Sequence, residues 1–131
     1  MESDLPGEPI LIVDDNPQNL KLARVVLTTE GYDVRTATDA EQALRVLEDF
    51  MPRLILMDLQ LPGMDGLELT RLLKADPNRR VIQIIALTAY AMKGDDELAL
   101  AAGCDGYITK PIDADHLTTT VAAYMRRTSR T

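Results

Sequence analysis

The sequence predicts a doubly wound α/β fold, and three observations predict it. Aliphatic runs at 10–13, 54–57 and 81–87, the last interrupted only by Gln83, read as strands buried on both faces. Segments with helical spacing lie between them. Gly or Pro marks most of the junctions, which leaves short connections.

The elements follow in order. After the strand at 10–13, Pro17 fits the first turn of a helix reaching about residue 30, where Gly31 stops it. Residues 32–36 form a short strand. Asp39 suits the N-cap of a helix from 40 to about 50, supported by Ala43, Leu44 and Leu47, and Pro52 breaks the chain. The strand at 54–57 leads to a Pro62-Gly63 turn and an amphipathic helix at 67–74, ended by Asp76-Pro77-Asn78. After the strand at 81–87, a weaker helix runs from 95 to 102 and stops at Gly103. A last strand at 107–109 precedes a helix capped by Asp113 and reaching about residue 126. Strict alternation with short loops requires parallel strands joined by right-handed crossovers. The expected result is a flavodoxin-like (βα)5 sheet in order 2-1-3-4-5. Residues 8–127 form one domain, with a flexible segment at 1–7 and a tail at 128–131.

At 131 residues the chain is long enough for one core that buries roughly two-thirds of its unfolded surface. A formal charge of -7 argues against nucleic acid as a partner, because phosphate backbones call for basic surface. No apolar run approaches the ~18 residues that span a bilayer, and the acidic N-terminus is not a signal peptide, so a soluble cytoplasmic protein is expected. The single cysteine, Cys104, excludes an intrachain disulfide and reads as a small half-buried residue. His116, the only histidine, cannot make a metal site alone and reads as a surface helix position.

In an open parallel sheet the ligand site lies beyond the carboxyl ends of the strands, at the topological switch point. Strand 1 ends in Asp14-Asp15, strand 3 in Asp58, strand 4 in Thr88 and strand 5 in Lys110. An Asp after a strand can be a mere cap or turn residue, as for Asp15 ahead of Pro17. The joint occurrence at four strand ends on one side of one sheet argues for a site. Two carboxylates ~4 Å apart repel by about 4 kcal/mol at an effective dielectric near 20, so the cluster must raise a pKa or take up a cation. Hard oxygen ligands with room for water suit Mg²⁺, with Mn²⁺ as the expected substitute. Lys110 offers a point charge for a phosphate, Thr88 a hydroxyl, and a carboxylate of this kind can be phosphorylated.

Four stretches carry a resemblance: Val13-Asp14-Asp15-Asn16, the run from Met57 through Asp58, Gln60, Pro62 and Asp65 to Gly66, Leu87-Thr88-Ala89, and Tyr107-Ile108-Thr109-Lys110-Pro111. Together they resemble the signatures of bacterial two-component response-regulator receiver domains of the CheY-like superfamily, over residues 8–127. Met92-Lys93-Gly94-Asp95 and Gly103-Cys104 are similar to single-domain receivers of the DivK type, and receivers inside hybrid kinases share them.

The resemblance implies roles. Asp58 matches the phosphoacceptor, Asp15 a direct Mg²⁺ ligand, Asp14 the carboxylate holding a metal-bound water, and the Gln60 backbone carbonyl a further ligand. Lys110 and Thr88 match phosphate contacts, and Lys110-Pro111 the position of a cis peptide. Thr88 and Tyr107 match a switch pair that reports to a protein partner through helix 4, strand 5 and helix 5. Gln60 and Tyr90 stand where side chains border the path of an attacking water. The implied donor is a histidine kinase or histidine phosphotransfer protein, and the chain catalyses its own phosphorylation and dephosphorylation rather than a metabolic reaction. On a helical wheel Leu20, Ala23 and Leu27 form the buried stripe of helix 1, which leaves Leu22 and Val25 exposed to dock a helical donor. The alternatives are a receiver excised from a hybrid kinase or an intermediate carrier in a phosphorelay. A small phosphohydrolase fits poorly, since the acid usual two residues after the nucleophile is here Gln60.

Overall fold

The structure, a computed structural model, describes residues 7–61, 63–88 and 95–129. Among them, strands and helices alternate as β1 (Pro9–Val13), α1 (Pro17–Thr29), β2 (Asp33–Ala37), α2 (Ala40–Val46), β3 (Leu54–Asp58), α3 (Gly66–Ala75), β4 (Gln83–Thr88), α4 (Asp95–Ala102), β5 (Gly106–Thr109) and α5 (Ala114–Ser129). The strands pair in parallel in the expected order, β2-β1-β3-β4-β5. Pro62, Tyr90 and the Met92-Lys93-Gly94 stretch lie outside the described residues, as do residues 1–6.

Alternate residues of each strand serve opposite faces of the sheet. Leu11, Val13, Ile55, Met57, Ile84 and Ala86 face Ala40 and Ala43 of α2 and Leu69 and Leu73 of α3. Ile10, Ile12, Leu54, Leu56, Ile85 and Leu87 face Ala23 and Leu27 of α1 and Leu117 and Val121 of α5. The central strands are therefore apolar throughout because both of their faces are covered. Each buried Leu, Ile, Val or Met among them contributes roughly 1.5–3 kcal/mol of burial. Cys104 is buried at the α4–β5 junction, its Sγ 3.8 Å from the Thr70 hydroxyl, and burial raises the thiol pKa, so it remains protonated. His116 is exposed on α5. Among the described residues no helix is long and apolar enough to cross a membrane.

Several boundaries differ from the expectation, each for a local reason. α1 ends in a turn in which Gly31 N–H donates to Thr28 and Tyr32 N–H to Leu27, with Gly31 at φ 99°. Tyr32 belongs to that cap, so β2 starts one residue later. α2 stops at Val46 because Glu48 and Asp49 donate to the carbonyls of Arg45 and Val46 in tightened turns. Phe50 thus lies beyond the helix, buried, with the Arg35 guanidinium 4.5 Å above its ring. Val81 is 69% exposed rather than part of a buried strand. Ile82 N–H closes a turn onto Arg79, and pairing with β3 begins only at Gln83 opposite Leu54. α3 begins at Gly66 with Asp65 as its cap, and α5 continues to Ser129.

Candidate functional site

Register assembles the site. Val13 lies opposite Met57, so Asp14, the next residue, emerges beside Asp58 at the end of β3. Asp58 pairs with Leu87, which sets Thr88 one step beyond it, and Thr88 pairs with Thr109, which Lys110 follows. Asp14, Asp58, Thr88 and Lys110 therefore gather at the carboxyl ends of four adjacent strands.

The β1–α1 loop is fastened from both ends. Asp14 N–H donates to Ala37 at 3.1 Å, and Asp14 Oδ1 accepts from Asn16 N–H at 2.9 Å. Asn16 in turn caps α1, its Oδ1 accepting from Gln18 and Asn19. This leaves Asp15 exposed at the mouth while Asp14 is fully buried. On the β3–α3 loop, Asp58 Oδ1 accepts from Gln60 N–H at 3.1 Å. Gly66 lies so close beneath that an added Cβ would overlap the Asp58 carbonyl oxygen. Asn16 and Gly66 were not among the expected site residues. The Asn16-Pro17 pair carried a cap signal, whereas nothing local to Gly66 announces a close approach.

Carboxylate oxygens of Asp14, Asp15 and Asp58 all lie within 4.8 Å of one another. Lys110 Nζ stands 3.2 Å from Asp58 Oδ1 and 3.6 Å from Asp14 Oδ2. Burial raises the Asp58 carboxyl above its ordinary value of 3.8 and the Asp14 carboxylate pushes the same way, while the Gln60 N–H and Lys110 act against them. Asp14 Oδ2 is buried and accepts no hydrogen bond among the described residues. An oxygen so placed, facing two further carboxylates, fits a hard divalent cation such as Mg²⁺. Thr88 is buried at the carboxyl end of β4. The exposed Gln60 is present through its N–H, and the Lys110-Pro111 peptide is cis as expected.

The remaining expected residues lie elsewhere. Tyr107 projects from β5 and is 40% exposed. Leu22 and Val25 are 38% and 47% exposed on α1, where with Gln18 and Lys21 they line a groove of about 350 Å³.

Comparison with known proteins agrees with this geometry. Residues 10–122 match the response regulator receiver domain family. The chain is 42% identical over 116 residues to the polar-differentiation response regulator DivK of Brucella anthropi, covering 88% of this chain and 94% of that protein. It resembles the signal receiver domain of a signal transduction histidine kinase from Syntrophus aciditrophicus, at TM-score 0.87 and 34% identity over 95% of each chain. It also resembles the receiver domain of the sensor histidine kinase PA1611 from Pseudomonas aeruginosa, which has a magnesium ion coordinated in its active site cleft. There the TM-score is 0.83 and the identity 40%, over 90% of this chain and 97% of that one.

Proposed function

The chain belongs to the response regulator receiver domain family of two-component signalling, and from that premise we propose that it accepts a phosphoryl group on Asp58 at a Mg²⁺ site. The observation that carries this reading is the convergence of Asp14, Asp15 and Asp58 within 4.8 Å, with Lys110 Nζ facing two of them. Asp15, Asp14, Asp58 and the Gln60 backbone carbonyl are the residues that would hold the ion. When bound, the metal supplies positive charge that lets an anionic phosphoryl group approach the carboxylates. Mn²⁺ offers the same chemistry, and the magnesium in the PA1611 receiver supports the choice.

In the proposed step an Asp58 carboxylate oxygen attacks phosphorus of a phosphohistidine as the P–N bond breaks, and the leaving imidazole takes up a proton. Lys110 favours the ionised form of Asp58 and then pairs with the phosphoryl group, while the Thr88 hydroxyl donates to a phosphoryl oxygen. That last bond exists only in the phosphorylated state. At ~1.5–3 kcal/mol for a charge-assisted bond it shifts a two-state equilibrium by roughly 10- to 150-fold. Tyr107 turns inward into the space Thr88 leaves, which remodels the face of α4, β5 and α5 for a downstream protein partner. Leu22 and Val25 dock the donor, a histidine kinase or histidine phosphotransfer protein, in the cytoplasm.

The similarity to DivK supports a receiver that acts by itself. The similarity to the receivers of two histidine kinases favours, as the second reading, a hybrid-kinase receiver or a relay intermediate. The test is transfer from a phosphorylated histidine phosphotransfer protein. Wild type should take up the label with Mg²⁺ and lose this ability in chelator, and Asp58→Asn should take up none. Transfer to Asp58→Asn at the wild-type rate would refute the assignment.

A further inference from the structure

β5 is four residues long and lies at the edge of the sheet, bonded among the described strands to β4 alone. Lys110 follows it directly, so its place in the pocket depends on a short strand's register. A slip of one residue turns every side chain to the other face. At the upper end the ladder runs to Thr88 opposite Thr109, and Lys110 N–H donates to the Thr88 carbonyl at 2.7 Å.

The lower end, farthest from the pocket, is tied down by side chains as well. Asp105 grips both backbone groups of Ile84: its N–H donates to the Ile84 carbonyl at 2.7 Å, and its Oδ2 accepts from Ile84 N–H at 2.8 Å. Lys74, from α3, locks that carboxylate. Its Nζ lies 3.1 Å from Asp105 Oδ2, 2.7 Å from the Ile82 carbonyl and 3.1 Å from the Arg80 carbonyl. An ammonium has three protons to give, and here three acceptors are met. Gly103, at φ 114°, makes room for the lysine stem, since a Cβ there would lie 2.8 Å from Lys74 Cγ. The Tyr124 hydroxyl of α5 closes the other side by donating to the Asp105 carbonyl at 3.1 Å.

We infer that Lys74 and Asp105 form a register clamp that positions Lys110 for phosphoryl transfer from the opposite end of β5. Both are positioning residues, since neither reaches the pocket. The clamp explains why a lysine on α3 is held inward against two carbonyls and a carboxylate rather than left in solvent. Its consequence for phosphoryl transfer rests on the role given to Lys110 above.

The experiment has two arms. Lys74→Met keeps the stem against Gly103 and removes the charge, while Asp105→Asn keeps an acceptor for Ile84 and weakens the hold of Lys74. It serves as the second variant should Lys74→Met fold poorly. In native-state hydrogen exchange, both variants should speed exchange of the Lys110 amide at least about tenfold, with the Ile12 and Leu56 amides of β1 and β3 unchanged. Equal speeding throughout the sheet, or none at Lys110, overturns the clamp. In the second arm, labelling by saturating acetyl phosphate with Mg²⁺ should slow about tenfold in Lys74→Met, within the range that a misplacement of ~1 Å can cause. The double variant Lys74→Met with Lys110→Ala should be no slower than Lys110→Ala alone, because the clamp acts through Lys110. Additive slowing shows that Lys74 acts by another route and sinks the inference. Wild-type labelling by Lys110→Ala itself refutes instead the role of Lys110, and the exchange arm then decides the clamp alone.

Discussion

Asp58 has a side chain only 3% exposed, with Asp14 beside it and the Lys110 ammonium facing both. Its pKa is raised in the fold, chiefly by burial, so the folded state binds its proton more tightly than the unfolded state does. The stabilisation linked to that proton is complete below the ordinary value of 3.8 and is lost as pH rises through the folded value. Without a divalent ion, ionising Asp58 therefore costs the fold stability. Asp58→Asn, which keeps the shape without the charge, should melt at a higher temperature than wild type at pH 7 without divalent ions, and the gap should narrow as pH falls toward 4. A gap that stays constant over this range would show that Asp58 is not electrostatically strained. The residues of this site were legible because carboxylates at strand ends are a chemical pattern. Asn16 and Gly66 were not, because one acts by closing a loop and the other by having no side chain where Asp58's backbone passes.

At the scale of the element, α1 is divided by its own periodicity. Ala23 and Leu27 are buried against the sheet, and Leu22 and Val25 project away from it beside the Lys21 stem. Truncating the projecting pair opens no core cavity of the kind that costs ~2–5 kcal/mol. Leu22→Ala with Val25→Ala should slow transfer from the kinase at least about tenfold, the effect of ~1.4 kcal/mol. Acetyl phosphate labelling and the melting temperature should stay close to wild type. Equal slowing with both donors, or a large loss of stability, removes α1 as the docking surface. Element type and order were legible because fully buried strands are apolar runs and helices carry caps. Boundaries were less so. Val81 and Phe50 are apolar and were expected within a strand and a helix, yet the observed elements leave them out, because hydrogen-bonded turns at Arg79–Ile82 and Arg45–Asp49 set the ends, and composition does not encode those turns.

Across the whole molecule, two apolar layers hold a sheet whose upper edge gathers three carboxylates, so an ion held there would be linked to folding. A ligand at a hundred times its Kd adds ~2.7 kcal/mol to a fold it alone recognises. Saturating Mg²⁺ should therefore raise the melting temperature by roughly 5–10 °C, given about 2–4 °C per kcal/mol for a chain near this size. Asp15→Asn should lose most of that rise, and an undiminished rise in the variant would place the ion elsewhere. The sheet order was legible because parallel βα units admit few topologies. The clamp below β5 was not, since Lys74 and Asp105 meet only after the chain has folded. The most direct measurement of the central claim is chemical location of the phosphate. Wild-type protein treated with acetyl phosphate and Mg²⁺ is trapped with borohydride, which reduces an aspartyl phosphate to homoserine, and the peptides are sequenced by mass spectrometry. Homoserine at position 58, in the Mg²⁺-treated sample and not in the chelated one, is the predicted result; homoserine at position 14 or 15, or at 58 without any divalent ion, would contradict it.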